Sequence, residues 1–314
     1  MNRQIFQGDV IEQLAKFPDS SIDVVISSPP YYSLRNYLVE GQLGLEPDFH
    51  DYLNKMQTIM DELKRVLKNT GTCWINLGDT YSTETQTAKS RIGIPERFYI
   101  NCIDGGWIAR NHIIWTKNNC MPSSVKDRFT NKWESVFFFS KNKKYYFDLD
   151  AVREPTITGT KPFNARVRDS KKQRYLQKAT DEEIKNHNVK GEFKGKASKE
   201  FLLKWQKNED SIHGNNAYNP KGKNPGDVFQ INIRPFKEAH FATFPPDLPQ
   251  KILRCACPKD GIVLDPFFGA GTVGLVAEQM GLQWCGIELN PEYIEIAKKR
   301  LGPYTAIQKM EAFV

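Results

Sequence analysis

Four consecutive residues, Ser28-Pro29-Pro30-Tyr31, close the apolar run "IDVVISS", whose composition is that of a buried β-strand. Prolines cannot donate to a sheet ladder, so the strand must stop here, in a turn whose backbone is largely locked. A hydroxyl, a carbonyl at a fixed angle and an aromatic ring thus meet at one strand mouth. They form either a receptor for a planar polar group or, more plainly, a proline-terminated strand with packed tyrosines. A second candidate lies far along the chain, in "GIVLDPFFGAGTVGLVAEQMG" (Gly261 to Gly281). It reads as a strand, a glycine-rich turn and a helix opened by Thr272. Gly269 and Gly271 remove side chains where the backbone must turn tightly and approach a ligand. Glu288 follows Asp265 by about 20 residues at the tip of the next strand, the place where nucleotide-binding α/β folds hold ribose hydroxyls. The turn lacks the G-x-G-x-x-G spacing and a P-loop lysine, and Phe267 and Phe268 stand where a phosphate would be cradled. A nucleoside cofactor without a pyrophosphate fits better than NAD or ATP.

The elements that must position these residues alternate. After the first strand, "FHDYLNKMQTIMDELKRVLKN" carries apolar residues at helical spacing and is expected to end at Gly71. "TCWINLGD" reads as a strand, "IPERFYINCIDGG" as a helix closed by Gly105-Gly106, and "RNHIIWTK" and "ESVFFFSK" as two buried strands. Beyond "YYFDLD" the pattern breaks into a Lys-, Asn-, Gly- and Gln-rich block with helical patches in "ATDEEIKNHN" and "KASKEFLLKWQKN". Alternation then resumes through the helix "PPDLPQKILRCA", the glycine-turn unit, the strand "WCGIELN" and the helix "PEYIEIAKKRL". This order predicts an α/β sheet with helices on its faces and an irregular insertion.

Charge locates that insertion's partner. The net charge is +7, and residues 151–230 hold 17 Lys/Arg against 10 Asp/Glu, so the whole excess sits in this block. Either it is a polyanion-binding face or a solvated lysine-rich surface. Six cysteines without a C-x-x-C pair, and five histidines, argue against a structural zinc site, and no metal is expected. No stretch approaches the roughly 20 apolar residues of a membrane span, and "MNRQIFQGDV" has no apolar signal core. A cytoplasmic protein, monomer or homodimer, is the expectation.

"SSPPYY" followed by "LDPFFGAGT" and "GIELNPEY" resembles the S-adenosylmethionine-dependent amino-methyltransferases of DNA. With the catalytic motif ahead of the cofactor motif and a basic block between them, the order is that of the circularly permuted β class. "QGDVIEQLAKFPDSSIDVVISSPPY", "RNHIIWTKNNCMPSSVKDRFTNKWESVFFFSK" and "FKEAHFATFPPDLPQKIL" extend the likeness over most of residues 4–150 and 226–302. The resemblance implies a Rossmann-like methyltransferase fold with a mostly parallel sheet. Residues 1–150 would form its catalytic half, 151–230 a target-recognition region and 231–314 the cofactor half. It implies S-adenosylmethionine as cofactor and double-stranded DNA as partner, within a restriction–modification system or a stand-alone modification gene.

On that footing the proline turn has a use. An exocyclic amine is a poor nucleophile, and hydrogen bonds accepted from its NH2 favour a tetrahedral nitrogen aimed at the methyl group. Ser28 and the Pro29 carbonyl would accept those bonds, Pro30 would lock the turn, and Tyr31 would stack on a base flipped out of the duplex. Asp265, Phe267, Gly269, Gly271, Thr272 and Glu288 would hold the cofactor, with Phe244 over its methionine end. Asp9 would approach cofactor or base, or merely cap a helix. Carbon-5 chemistry is excluded because the chain has no Pro-Cys dipeptide to supply its nucleophile. The resemblance favours the N4 amine of cytosine, since the motif opens with Ser, while the N6 amine of adenine stays open. RNA or protein amines, or a catalytically silent DNA-binding protein, are the remaining alternatives. Lys117 and Arg128 lie in a region expected near DNA but each reads as a surface charge, His240 as a packing or hydrogen-bonding residue, and Trp74, Trp107 and Trp284 as core.

Overall fold

The computed structural model describes residues 3–155, 221–234 and 244–311, with side chains described to residue 304. The chain divides into two compact units, one of Met1–Val152 with Gly226–Val314 and one of Arg153–Pro225. In the second, the described residues form a short antiparallel pairing. Glu154 and Lys223 exchange backbone hydrogen bonds at 3.0 and 2.9 Å, and Arg153 donates to the Gly222 carbonyl. The patches "ATDEEIKNHN" and "KASKEFLLKWQKN" lie outside the described residues.

The first unit is an α/β sandwich. Its elements are β1 (Gln4–Gln7), α1 (Val10–Leu14), β2 (Ile22–Ser27), α2 (Phe49–Val66), β3 (Leu67–Leu77), α3 (Ile94–Asp104), β4 (Ile108–Thr116) and β5 (Trp133–Ser140). There follow β6 (Val228–Gln230), α4 (Asp247–Ala256), β7 (Ile262–Asp265), α5 (Thr272–Gln279), β8 (Gln283–Glu288) and α6 (Pro291–Glu311). One eight-stranded sheet runs β1-β8-β7-β2-β3-β5-β4-β6. Every neighbouring pair is parallel except the two made by β5, which alone runs against the rest.

The buried residues obey the two-residue period of a strand and so fill two cores. Val25, Cys73, Ile75, Phe137 and Phe139 face one side with the apolar stripes of α1, α2 and α3. Val24, Ile26, Trp74, Val136 and Phe138 face the other, against α4, α5 and α6. Trp74 stacks on Phe138 at 3.9 Å, and Trp74, Trp107 and Trp284 are all buried.

Two boundaries differ from the sequence expectation. Helix α2 stops at Val66, not at Gly71, because Leu67 is already extended and pairs with Ile22 of β2. Gly71 then lies inside β3, where a side chain would sit 2.8 Å from the Asp23 carbonyl. The short β1 and β6 carry no periodicity of their own, and both are edge strands.

Candidate active site

Pairing of β2 with β7 joins the two halves of the sequence at the middle of the sheet, with Val25 opposite Leu264. Ser27 and Asp265 therefore end adjacent strands, and the Ser27 hydroxyl donates to Asp265 Oδ1 at 2.6 Å. Ligands of open α/β sheets bind at such a point, beyond the carboxyl ends of the strands. Here a cavity of ≈ 270 Å³ occupies that place. Its lining includes Asp9, Ser28, Pro29, Pro30, Tyr31, Phe244, Asp265, Phe267, Gly269, Thr272 and Glu288, so the two motifs share one chamber.

The glycine-turn wall is built from backbone. Glu288 Oε2 accepts from the Gly269 amide at 2.7 Å and Oε1 from the Asn290 amide at 2.8 Å, which ties the turn after β7 to the tip of β8. Burial pushes the Glu288 carboxyl above its ordinary range, against those amide bonds. Burial also pushes Asp265 up to about 8, although Ser27 and the Phe267 amide stabilise its ionised form; the nearby Glu288 charge adds to the rise. A Cβ placed on Gly269 meets nothing within 4 Å, so this position opens onto free space where a ligand can approach backbone. Gly271 differs. It caps α5 in the left-handed region at φ 75°, and its Cβ would sit 3.1 Å from Ala297 and 3.2 Å from the Phe268 ring. Its needs are that backbone conformation and close packing, and it is not among the cavity-lining residues. Phe268 likewise stacks on Trp284 at 5.2 Å, while Phe267 is only partly buried. The Thr272 hydroxyl accepts from Arg300 at 2.9 Å.

The proline-turn wall is built from side chains. Tyr52, buried on α2, donates to the Pro30 carbonyl at 2.9 Å and fixes the turn from below. The Tyr31 ring lies on Gly78, where a Cβ would come within 2.5 Å of it. Its hydroxyl donates to Glu134 Oε2 at 2.7 Å and lies 3.0 Å from Asn76 Oδ1, and Ser28 Oγ donates to it at 3.4 Å. Lys117 closes the group through an ion pair with Glu134 and sits 4.2 Å above the Trp115 ring. Burial, and then the Glu134 charge, hold the Tyr31 hydroxyl well above its ordinary pKa, so it stays protonated.

Among the other residues singled out in the sequence, one departs from its reading. Lys117, at 16% side-chain exposure, is a member of the site and not a surface charge. Arg128 is exposed, over the Tyr81 ring. Asp9 caps α1, with Oδ1 accepting from Ile11 and Glu12, and still lines the cavity. His240 lies outside the described residues. Glu134 and Asn76 lie in stretches that the sequence reading takes as strands but does not single out as site residues, and the segment after Tyr31 is not singled out either. That segment crosses between the walls: the Tyr37 amide donates to Gln42, and Asn290 donates to the Tyr37 carbonyl at 3.4 Å. The acid in "KWESVFFF" is the available signal for Glu134, since it opens an apolar strand that otherwise has no use for charge.

A cavity beyond the strand ends, with an acidic strand tip on one wall and a polar proline turn on the other, is the arrangement of a Rossmann-like nucleotide-binding fold. The DNA methylase family model matches residues 22–299, and the chain belongs to that family, whose methyl donor is S-adenosylmethionine. It is 34% identical to the type II methyltransferase M.Cfr9I of Citrobacter freundii over 95% of this chain and 87% of that protein. It is 30% identical to M.SmaI of Serratia marcescens, over 95% and 90%. Among solved structures, the cytosine-N4-specific PvuII DNA methyltransferase superposes with a TM-score of 0.64 at 21% identity, covering 95% of this chain and 88% of that one. A putative DNA modification methylase of Thermus thermophilus, solved with S-adenosyl-L-methionine, superposes with a TM-score of 0.56 at 22% identity, covering 96% and 95%.

Proposed function

We propose that this DNA methyltransferase acts on the exocyclic N4 amine of a cytosine flipped out of double-stranded DNA, by direct in-line displacement. The observation that carries the reading is the shared chamber, in which the Ser28-Pro29 acceptors and the Gly269–Glu288 turn face one cavity. The cofactor fits the glycine-turn wall: Gly269 leaves room at the backbone, Pro266, Phe267 and Leu289 offer apolar surface for a purine ring, and Phe244 lines the same cavity for the methionine end. Glu288, at the tip of β8, would take the ribose hydroxyls, and no P-loop lysine is present to prefer a phosphate. When bound, S-adenosylmethionine supplies an electrophilic methyl group on a sulfonium.

The chain's own residues prepare the amine. Ser28 and the Pro29 carbonyl accept its hydrogens, drawing the nitrogen lone pair out of conjugation. The turn is held beforehand by two prolines and by Tyr52, so little reordering is needed when the base arrives. Tyr31 supplies an aromatic face that offsets part of the unstacking cost, a few kcal/mol. The cytosine choice rests on the Ser that opens the motif, and on the likeness to the PvuII enzyme, named as cytosine-N4-specific. The basic block around Arg153–Pro225 is assigned to target recognition, within a restriction–modification setting like that of the type II relatives.

The test is transfer of labelled methyl groups to unmodified, sequence-diverse duplex DNA, followed by digestion and mass spectrometry of the nucleosides. N4-methylcytosine is expected. N6-methyladenine would keep the mechanism and overturn the base, and label on RNA or protein alone would overturn the substrate class.

A further inference from the structure

Acceptance of a hydrogen bond from an amine makes a demand on Ser28 that its identity alone does not meet. A serine hydroxyl has one hydrogen and two lone pairs, and it rotates to suit its neighbours. Unless the hydrogen is committed elsewhere, it can swing toward the substrate and present a donor where an acceptor is needed. The heavy-atom geometry gives that hydrogen a partner. Ser28 Oγ donates to Tyr31 Oη at 3.4 Å, a weak bond that orients more than it stabilises.

Tyr31 can receive it only if its own hydrogen is spent. Two acceptors compete for that hydrogen, Glu134 Oε2 at 2.7 Å and Asn76 Oδ1 at 3.0 Å. The carboxylate is closer and charged, and a charge-assisted bond is roughly twice as strong as a neutral one. Asn76 does not offer a hydrogen in its place, because its amide nitrogen is engaged with Glu134 Oε2 and the Ser135 carbonyl, both at 3.1 Å. Lys117 takes the other oxygen of Glu134 in an ion pair, which leaves Oε2 facing Tyr31. The Ser28 and Tyr31 hydroxyl hydrogens are thus both spent within the row.

We infer that Glu134, held by Lys117, is a positioning residue that acts through Tyr31 to turn the Ser28 hydroxyl, so that serine lone pairs face the substrate amine. The row is Lys117 to Glu134, Tyr31 to Glu134, and Ser28 to Tyr31, with no proton moved along it. Tyr31 then has two separable duties: its ring serves the base, and its oxygen serves Ser28. The inference rests on the amine-methylation reading but not on which base carries the amine.

The experiment is a double-mutant cycle on the full-length protein, using whichever DNA the wild type methylates. Tyr31→Phe, Glu134→Gln, Glu134→Ala and the Tyr31→Phe/Glu134→Gln pair are compared by single-turnover rate and by cofactor titration. Tyr31→Phe removes one oxygen and keeps the ring, so it tests the row even if Glu134→Ala, which strands Lys117, fails to fold. Loss of one orienting bond is expected to slow methyl transfer roughly 10- to 100-fold while leaving cofactor affinity unchanged. Glu134→Gln, which retains an acceptor oxygen, should fall between wild type and Glu134→Ala. The double variant should be no slower than the worse single variant, because both break the same row. Multiplying effects, or a rate left intact in Tyr31→Phe, would overturn the inference. The nucleoside product, read from the same reactions, separately decides the base.

Discussion

The two walls of the cavity solve the same problem by different means. On the glycine-turn wall, Glu288 reaches the Gly269 amide from the next strand, 19 residues along the chain. On the proline-turn wall, Tyr31 reaches Asn76 and Glu134, 45 and 103 residues away. One wall is local backbone shaped by glycines and acids; the other is a convergence of side chains from the ends of β3, β4 and β5. The first should tolerate little change of shape, and the second little change of hydrogen-bonding.

The largest effect expected on the first wall is steric. Gly286 of β8 lies under the Phe268 ring, and an added Cβ would stand 2.3 Å from it. Gly286→Ala is expected to destabilise by about 3 kcal/mol, at the upper end for overpacking, with the loss read from denaturant titration. If stability holds, the stacked Phe268–Trp284 pair is more compliant than its geometry indicates.

Next comes Glu288→Ala, which removes the acceptor for two backbone amides and, on the proposed reading, for the ribose. Cofactor affinity is expected to weaken roughly 10- to 100-fold by calorimetry, the cost of losing hydrogen bonds to a charged group. The transfer rate at saturating cofactor should fall far less. A variant with unchanged affinity would erase the contrast between the walls.

A third effect is a slope. Asp265 has its pKa raised from 3.8 to about 8 in the folded protein. Between those values the folded form holds a proton that the unfolded form has lost, so stability falls as pH rises from about 4 to about 8. The contribution is fully present below the unfolded value and gone above the folded one. Melting temperatures of the cofactor-free protein should therefore decline more steeply across that window in the wild type than in Asp265→Asn. Equal slopes would remove Asp265 as the cause.

The smallest effect per residue belongs to the basic block, whose contrast is with a remainder of zero net charge. If the block meets phosphates, the logarithm of DNA affinity should fall linearly with that of salt, by about 0.9 per phosphate neutralised. A flat salt response would take the block out of the interface.

These contrasts also explain what was legible in the sequence. Strand–helix alternation and the "DPFFGAGT" and "SPPY" turns are local, so sheet, helix faces and both motifs could be read from neighbours in the chain. The α2 boundary could not, because Leu67 is extended by its pairing with Ile22 and not by its own propensity. The edge strands β1 and β6, of 4 and 3 residues, are too short to show a period. Gly269 and Gly271 look alike in the sequence, yet one opens onto the cavity and the other onto Ala297 and Phe268. Lys117 and Glu134 are ordinary charges until the sheet sets the end of β4 beside the start of β5. Side-chain convergence of this kind leaves no local signature.

The most direct test of the account is Ser28→Ala, assayed for methyl transfer at saturating cofactor and for cofactor binding on the same preparation. Removal of a positioned group of this type is worth about 10²–10³ in rate. The account predicts a loss of that order with cofactor affinity unchanged, since Ser28 acts on the amine alone. Equal loss of rate and affinity, or a rate near that of the wild type, would contradict it.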